Sequence, residues 1–201
     1  MTGPEVSARR AEAADSALVT SIIAAAFQHD PLWGGAMARP DGRTDHHLLF
    51  WRLFVEAALP YRWTWLTKQG EAASIWIPPG EVEMTPSQEE ELLSLADEHL
   101  GPAAAGYREL VERFAAAHPH TEPHYYLTLL GTHPDHRGQG IGMALLAHDL
   151  AVIDGLHMPA YLESSNPVND KRYEAVGFEP VGKIFAPSGR ITVTTMWRSA
   201  R

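Results

Sequence analysis

Three glycines carry the clearest chemical signal in the chain, in the stretch His133-Pro134-Asp135-His136-Arg137-Gly138-Gln139-Gly140-Ile141-Gly142-Met143. They fall where an apolar run over 125–132 gives way to a helical pattern. Glycine lets the backbone approach a ligand closely and take left-handed turns. The helix that follows aims its free N–H groups and the positive end of its dipole at the same place. Such a turn is an anion cradle, suited above all to phosphate or pyrophosphate. A Rossmann dinucleotide turn would need Gly-x-Gly-x-x-Gly early in a doubly wound sheet, and a Walker A loop would need Gly-Lys-Ser/Thr. The Gly-x-Gly-x-Gly spacing here, in the second half of the chain, fits neither.

Histidines offer a second chemistry. His118, His120 and His124 are closely spaced, as are His133 and His136, and imidazoles at such spacings can bind a metal. No carboxylate pattern accompanies them and they flank proline turns, so no metal site is expected. There is no cysteine, which excludes disulfides, thiolate metal sites and a cysteine nucleophile.

The elements that must position the glycine turn follow from periodicity and punctuation. A short strand is expected within 6–13. Asp15 is a candidate N-cap for a helix with apolar positions at Leu18, Val19, Ile22, Ile23 and Ala26, fading by His29 because Pro31 pushes Asp30 toward extended geometry. Gly34, Gly35, Pro40 and Gly42 read as a loop. A helix over 44–58 and strands over 63–67 and 72–77 follow, the strands joined at Gln69-Gly70-Glu71 and closed by Pro78-Pro79-Gly80. Thr85-Pro86-Ser87-Gln88 forms a capping box with proline at the first helical position. Another helix spans 104–117. Strand 125–132, helix 140–153, strand 160–164, a short helix over 168–175 and strands over 178–185 and 191–197 complete the order. This is a mixed α/β layer, antiparallel early and late, with one strand–helix–strand crossover between.

Composition bounds the rest. The chain has 201 residues, 45% hydrophobic and 20% charged, enough for an ordered core in one domain over 1–201. A formal charge of −9 argues against a nucleic-acid partner, which would require clustered Lys and Arg. No apolar run suits a membrane span and no signal-peptide pattern is present, so a soluble cytoplasmic protein is expected, as monomer or homodimer.

The residues after the glycine turn narrow its ligand. Tyr161-Leu162-Glu163-Ser164-Ser165-Asn166 is followed by Asn169, Tyr173 and Gly177-Phe178. Together with Arg137-Gly138-Gln139-Gly140-Ile141-Gly142, this block resembles the GCN5-related N-acetyltransferase family, whose signature is Arg/Gln-x-x-Gly-x-Gly/Ala followed by an Asn…Tyr…Gly-Phe segment. Within the family, Glu122-Pro123, Gly131, Pro134-Asp135-His136 and the Asn169/Tyr173 spacing look like the puromycin-type small-molecule acetyltransferases. The resemblance is specific over 125–178 and rests on element order before that.

The resemblance implies a central, mostly antiparallel sheet with one splayed parallel pair, flanked by helices. It implies acetyl-CoA as cofactor, with pyrophosphate on the N–H groups from Gly138 through Gln139, Gly140, Ile141 and Gly142 to Met143, and with Arg137 adding charge. Backbone of Leu130, Gly131 and Thr132 would pair with the pantetheine arm as if it were another strand. Asn166 and Asn169 are candidates to bond the arm, or to cap a helix. Tyr173 is the candidate acid: a phenol (pKa about 10) can protonate a leaving alkylthiolate (pKa about 8.5) within hydrogen-bond reach. Glu163 is a candidate for taking the amine proton, with Tyr126 or His124 acting through water. Phe27, His29, Asp30 and Trp33, with Tyr126 and Trp76, are candidates to line the acceptor, Asp30 holding its cationic amine. The implied reaction is direct transfer to a small-molecule amine in a ternary complex. A protein or peptide amine as acceptor, and an acyl-CoA-binding sensor without catalysis, are the alternatives.

Overall fold

Short runs of Val, Ile, Leu, Trp, Tyr and Thr bounded by glycine and proline become strands, as β propensity dictates. The computed structural model describes residues 6–201. Among these residues seven strands form one sheet in the order β1-β2-β3-β4-β5-β7-β6. They are β1 (Ala8–Arg10), β2 (Thr64–Thr67), β3 (Ala72–Ile77), β4 (Tyr125–Thr132), β5 (Ala160–Ser164), β6 (Glu179–Phe185) and β7 (Thr192–Arg198). Neighbours are antiparallel except β4 and β5, which run parallel. The crossover between that pair is α6 (Ile141–Asp154).

Helices cover both faces. On one face lie α1 (Ser16–Phe27), α3 (His47–Ala58), α4 (Pro86–His99) and α5 (Ala104–Ala117), whose apolar stripes meet β3 and β4 around Ile22, Ile23, Phe50, Trp51, Ile75, Tyr107 and Leu129. On the other, α6 packs Leu145, Leu146, Leu150 and Ile153 against Trp76, Tyr125, Leu127 and Leu162. Short helices α2 (Trp33–Ala36) and α7 (Asp170–Ala175) complete the set.

A buried carboxylate fixes α6 to the sheet. Asp149, fully buried, accepts from Ser74 Oγ, from Trp76 Nε1 at 2.9 Å and from His148 Nδ1 at 3.1 Å. This bond gives Trp76 a structural role. Its ring faces α6, so it does not line the acceptor region that the sequence suggested for it.

Three local expectations change. Asp15 does not cap α1 through its side chain. It closes a 3-10 turn (Ala13–Asp15) by accepting from Glu12 N–H and pairing with Arg9. Gly34 and Gly35 sit in α2 rather than in loop, because the Asp30 carboxylate accepts from Leu32 N–H at 2.9 Å and Trp33 N–H at 3.0 Å and so starts a helical turn. The helix expected from residue 44 begins at His47. The capping box at Thr85 forms as expected, with Gln88 Oε1 accepting from Thr85 N–H at 2.9 Å.

Removing the Asp149 carboxylate would leave the buried Ser74 and Trp76 donors unpaired. Asp149→Ala is expected to destabilise the protein by about 2–4 kcal/mol, read as a lower urea midpoint. A change under about 0.5 kcal/mol would contradict this role for the network.

Candidate active site

A break in one strand pair opens the site. β4 and β5 pair only at Tyr125–Ala160, Tyr126–Tyr161 and Leu127–Leu162. Beyond that point the strands diverge, and Thr128, Leu129, Leu130 and Thr132 face Glu163, Ser164, Ser165 and Asn166 across a cavity of about 1120 Å³. The register of β4 on β3 jumps at the same place: Trp76 partners Leu127 and Ile75 partners Leu129, leaving Thr128 as the extra residue of a β-bulge. A bulge re-aims the side chains that follow it. Leu127 accordingly packs toward α6, whereas Leu129 packs toward α1 and α3.

The glycine turn closes one end of this cavity. Gly138 and Gly140 have φ of +78° and +76°, a conformation disfavoured for side-chain-bearing residues. Gly140 is the N-cap residue of α6, so the first free N–H groups of that helix lie beside it. Gly142 lets α6 approach β4, since a Cβ there would lie 2.5 Å from Thr132 Oγ1. Gly131 serves the opposite face, where a Cβ would lie 2.9 Å from Ala26 Cβ on α1. Arg137 ties the turn to α1 by donating from Nη2 to the Ala26 carbonyl at 2.6 Å.

The structure gathers most of the sequence-predicted residues here. Leu130, Thr132, Arg137, Gly138, Gly140, Ile141, Gly142, Met143, Asn166, Asn169, Tyr173, Glu163, Phe27, His29, Asp30, Trp33 and Tyr126 all line the cavity. Gln139 is exposed and Gly131 lies under α1, and neither is among the residues that line the cavity. Asn166 Oδ1 accepts from Val168 N–H at 3.2 Å and caps a 3-10 turn (Pro167–Asn169). Asn169 Oδ1 accepts from Arg172 at 3.0 Å. Asp30 is occupied on both oxygens, Oδ1 by the two α2 amides and Oδ2 by Ser165 Oγ at 2.8 Å.

Two zones differ in character. Phe27, Trp33, Trp51, Phe54 and Phe114 form an aromatic wall, with Phe27 and Trp51 ring centroids 5.0 Å apart and Trp33 edge-on to Trp51 at 5.6 Å. Next to it is an acidic and imidazole cluster: Glu83, Glu163, His118 and Tyr126. The Glu163 side chain is 3% exposed, and His118 Nδ1 lies 3.9 Å from its Oε1. Glu83 accepts from Thr128 Oγ1, the hydroxyl at the bulge. Burial pushes the Glu83 carboxyl up to about 7, and the nearby Glu163 charge adds to the effect. Burial also raises Tyr126, again with Glu163 contributing. Tyr173, packed on Phe178, is pushed up to about 12 by burial and then by Asp30 and Asp170.

Sequence reasoning missed Glu83. It lies in the polar segment after Pro78-Pro79-Gly80, where periodicity carries no signal, and only the fold brings it to Thr128. His118, His120 and His124 line the cavity, and among the described residues no group of three or more His, Asp or Glu side chains is placed to hold a metal ion. Among the described residues no helix is long and apolar enough to cross a membrane.

Comparison with known proteins agrees with this architecture. Residues 97–180 match the model of the acetyltransferase (GNAT) domain. A Corynebacterium glutamicum structure, described as histone acetyltransferase HPA2 and related acetyltransferase, superposes with a TM-score of 0.69 at 23% identity, covering 98% of each chain. Arylalkylamine N-acetyltransferase 2 from Aedes aegypti gives 0.70 at 11% identity over 98% of this chain and 100% of that one. Drosophila melanogaster polyamine N-acetyltransferase, which forms N-acetylagmatine, gives 0.58 at 16% identity over 97% and 100%. At these identities the structures share a fold with this chain.

Gly140 gives a direct test of the anion cradle. A side chain in its left-handed conformation costs about 1–2 kcal/mol, strain that would fall on the turn presenting the helix N-terminus. Gly140→Ala is expected to bind coenzyme A at least about tenfold more weakly by calorimetry, with an unchanged circular dichroism spectrum. Unaltered affinity would contradict the cradle.

Proposed function

We propose that the chain is an acyltransferase of the GNAT type, whose domain model matches residues 97–180, and that it moves the acetyl group of acetyl-CoA to a primary amine of a small molecule by direct transfer in a ternary complex. We take 1–201 to act as one domain. The observation that carries the reading is the splay of β4 from β5, with a glycine turn and a helix N-terminus at one end and an acidic, aromatic-walled chamber in the same cavity.

The residues present suit coenzyme A. The edges of β4 and β5 beyond Leu127 and Leu162 are extended backbone without each other as partners, and an extended amide-bearing arm would satisfy them as an added strand. Leu130 and Thr132 would provide those groups. The N–H groups of residues 138–143 would hold the pyrophosphate, with Arg137 anchoring the turn to α1. Asn166 and Asn169 shape the cavity wall through their capping and Arg172 bonds. When bound, acetyl-CoA supplies a thioester whose acyl carbon is open to an amine.

Tyr173 donates the proton that the departing sulfur needs. With its phenol pushed up to about 12, it stays protonated at neutral and mildly alkaline pH. The cost of giving that proton up falls when the thiolate is desolvated as well. Activity should therefore show no descending limb from Tyr173 below about pH 10. The amine enters from the aromatic wall, where Phe27 and Trp33 offer apolar contact and His29 lines the same side. Because Asp30 already bonds α2 and Ser165, it organises the wall, and the cationic amine goes to the Glu83 and Glu163 side. Arylalkylamine and polyamine acceptors of the similarly folded enzymes suit such a chamber.

Release of coenzyme A thiol from acetyl-CoA, measured across arylalkylamines, polyamines and basic peptides, tests the reading. Turnover is expected with small amines. Turnover with peptides alone would overturn the small-molecule acceptor, and tight coenzyme A binding with no turnover on any amine would favour a sensor. Tyr173→Phe is expected to lower kcat about 100-fold or more with little change in acetyl-CoA affinity. An unchanged kcat would remove Tyr173 as the acid.

A further inference from the structure

We propose that Glu83 is the group that takes the proton from the acceptor ammonium, with Thr128 and Glu163 as the residues that position and tune it. This rests on the acetyl-transfer reading and adds a residue, and a division of labour, that the sequence did not reveal.

β4 and β5 separate after Leu127 and Leu162, so the next residues, Thr128 and Glu163, flank the point where the cavity begins between the strands. The bulge turns Thr128 out of the β3 ladder, and its hydroxyl donates to Glu83 Oε1. That bond holds one carboxylate oxygen and leaves Oε2 for an incoming N–H. Both carboxylates line the cavity, and the segment carrying Glu83 is held further by Tyr61 Oη, which donates to the Val82 carbonyl at 2.9 Å.

The groups facing Glu83 come from four elements: Thr128 on β4, Glu163 on β5, His118 just past α5, and Glu89 on α4. Tyr107 on α5 and Tyr126 on β4 feel its charge in turn. Burial and two neighbouring carboxylates make Glu83 more basic, while Thr128 and His118 oppose them, and the result lies near 7. A base poised near the working pH is ionised often enough to act and basic enough to accept.

The step balances simply. An N–H bond of the ammonium breaks, the proton forms an O–H bond on Glu83 Oε2, and the electron pair stays on nitrogen, free for the acyl carbon. For an alkylamine of ordinary basicity the transfer is roughly thousandfold against, a modest ratio that burial of the ammonium reduces further. Glu163, beside His118 and close enough to the buried Tyr161 hydroxyl to raise its pKa, keeps the field negative and orients the cation.

Carbon-13 NMR titration of the carboxyl groups tests this without turnover, the Glu83 signal being the one absent from Glu83→Gln. It is expected to titrate near 7 in the free protein. Thr128→Val, which removes a donor to the carboxylate, should move that midpoint up, and Glu163→Gln, which removes a neighbouring charge, should move it down. A midpoint at the ordinary carboxylate value, or shifts of the same sign in both variants, would overturn the proposal. In kinetics with 2-phenylethylamine, Glu83→Gln should lower kcat/KM about 100-fold or more and abolish the acid limb near pH 7. The loss should shrink with the less basic β,β-difluoro analogue, which sheds its proton unaided; an equal loss with both amines would mean a purely structural role. If the wild type turned over no amine, acetyl transfer would fall while the titration still judged the tuned carboxylate.

Discussion

The parallel pairing of β4 with β5 is limited to three residue pairs, and the arrangement of the site depends on that brevity. Backbone N–H and C=O groups demand partners. Two strands that part inside a sheet therefore present a slot with the chemistry of a missing strand. The surrounding sheet makes this tolerable: β4 remains bonded along its other edge to β3, and β5 is paired along its length with β7. The separation is thus a stable feature of a continuous seven-stranded sheet rather than a frayed end.

Two devices hold the slot open and give each end a chemistry. At its narrow end, the Thr128 bulge switches Leu129 to the α1 side and brings a hydroxyl to Glu83. At its wide end, Gly142 lets α6 cross close over Thr132 while Gly131 lets α1 lie against the opposite face. The two helices thus approach adjacent residues of β4, α1 at Gly131 and α6 at Thr132, and the left-handed Gly138 and Gly140 turn the chain from strand to helix beside them. A single strand consequently links an anion-binding end to an acid–base end. The buried Asp149 network, which locks α6 onto β3, keeps that link rigid.

Much of this was legible in the residues. The glycine turn, the strand before it, the crossover helix and the parallel strand after it followed from composition changes and spacing, and β3, α5, β4 and β5 have the expected bounds. What escaped did so for physical reasons. All six residues of β3 are buried, so alternation could not tell that Trp76 faces α6. Asp30 looked free to hold a cation because the sequence does not reveal that its oxygens start α2 and bind Ser165, 135 positions away. Glu83 was invisible because its basicity comes from burial and from the neighbouring Glu163 and Glu89 carboxylates, which only the fold brings about. A bulge of one residue leaves no mark in a run as apolar as 125–132.

The central claim is that acetyl-CoA occupies the slot as a strand, and amide hydrogen exchange with and without acetyl-CoA tests it most directly. Exchange should slow both in the glycine turn, residues 137–143, and along β4 beyond the bulge, residues 128–132, because the first would hold pyrophosphate and the second would gain hydrogen-bond partners. Slowing confined to the turn, with β4 unchanged, would contradict the account.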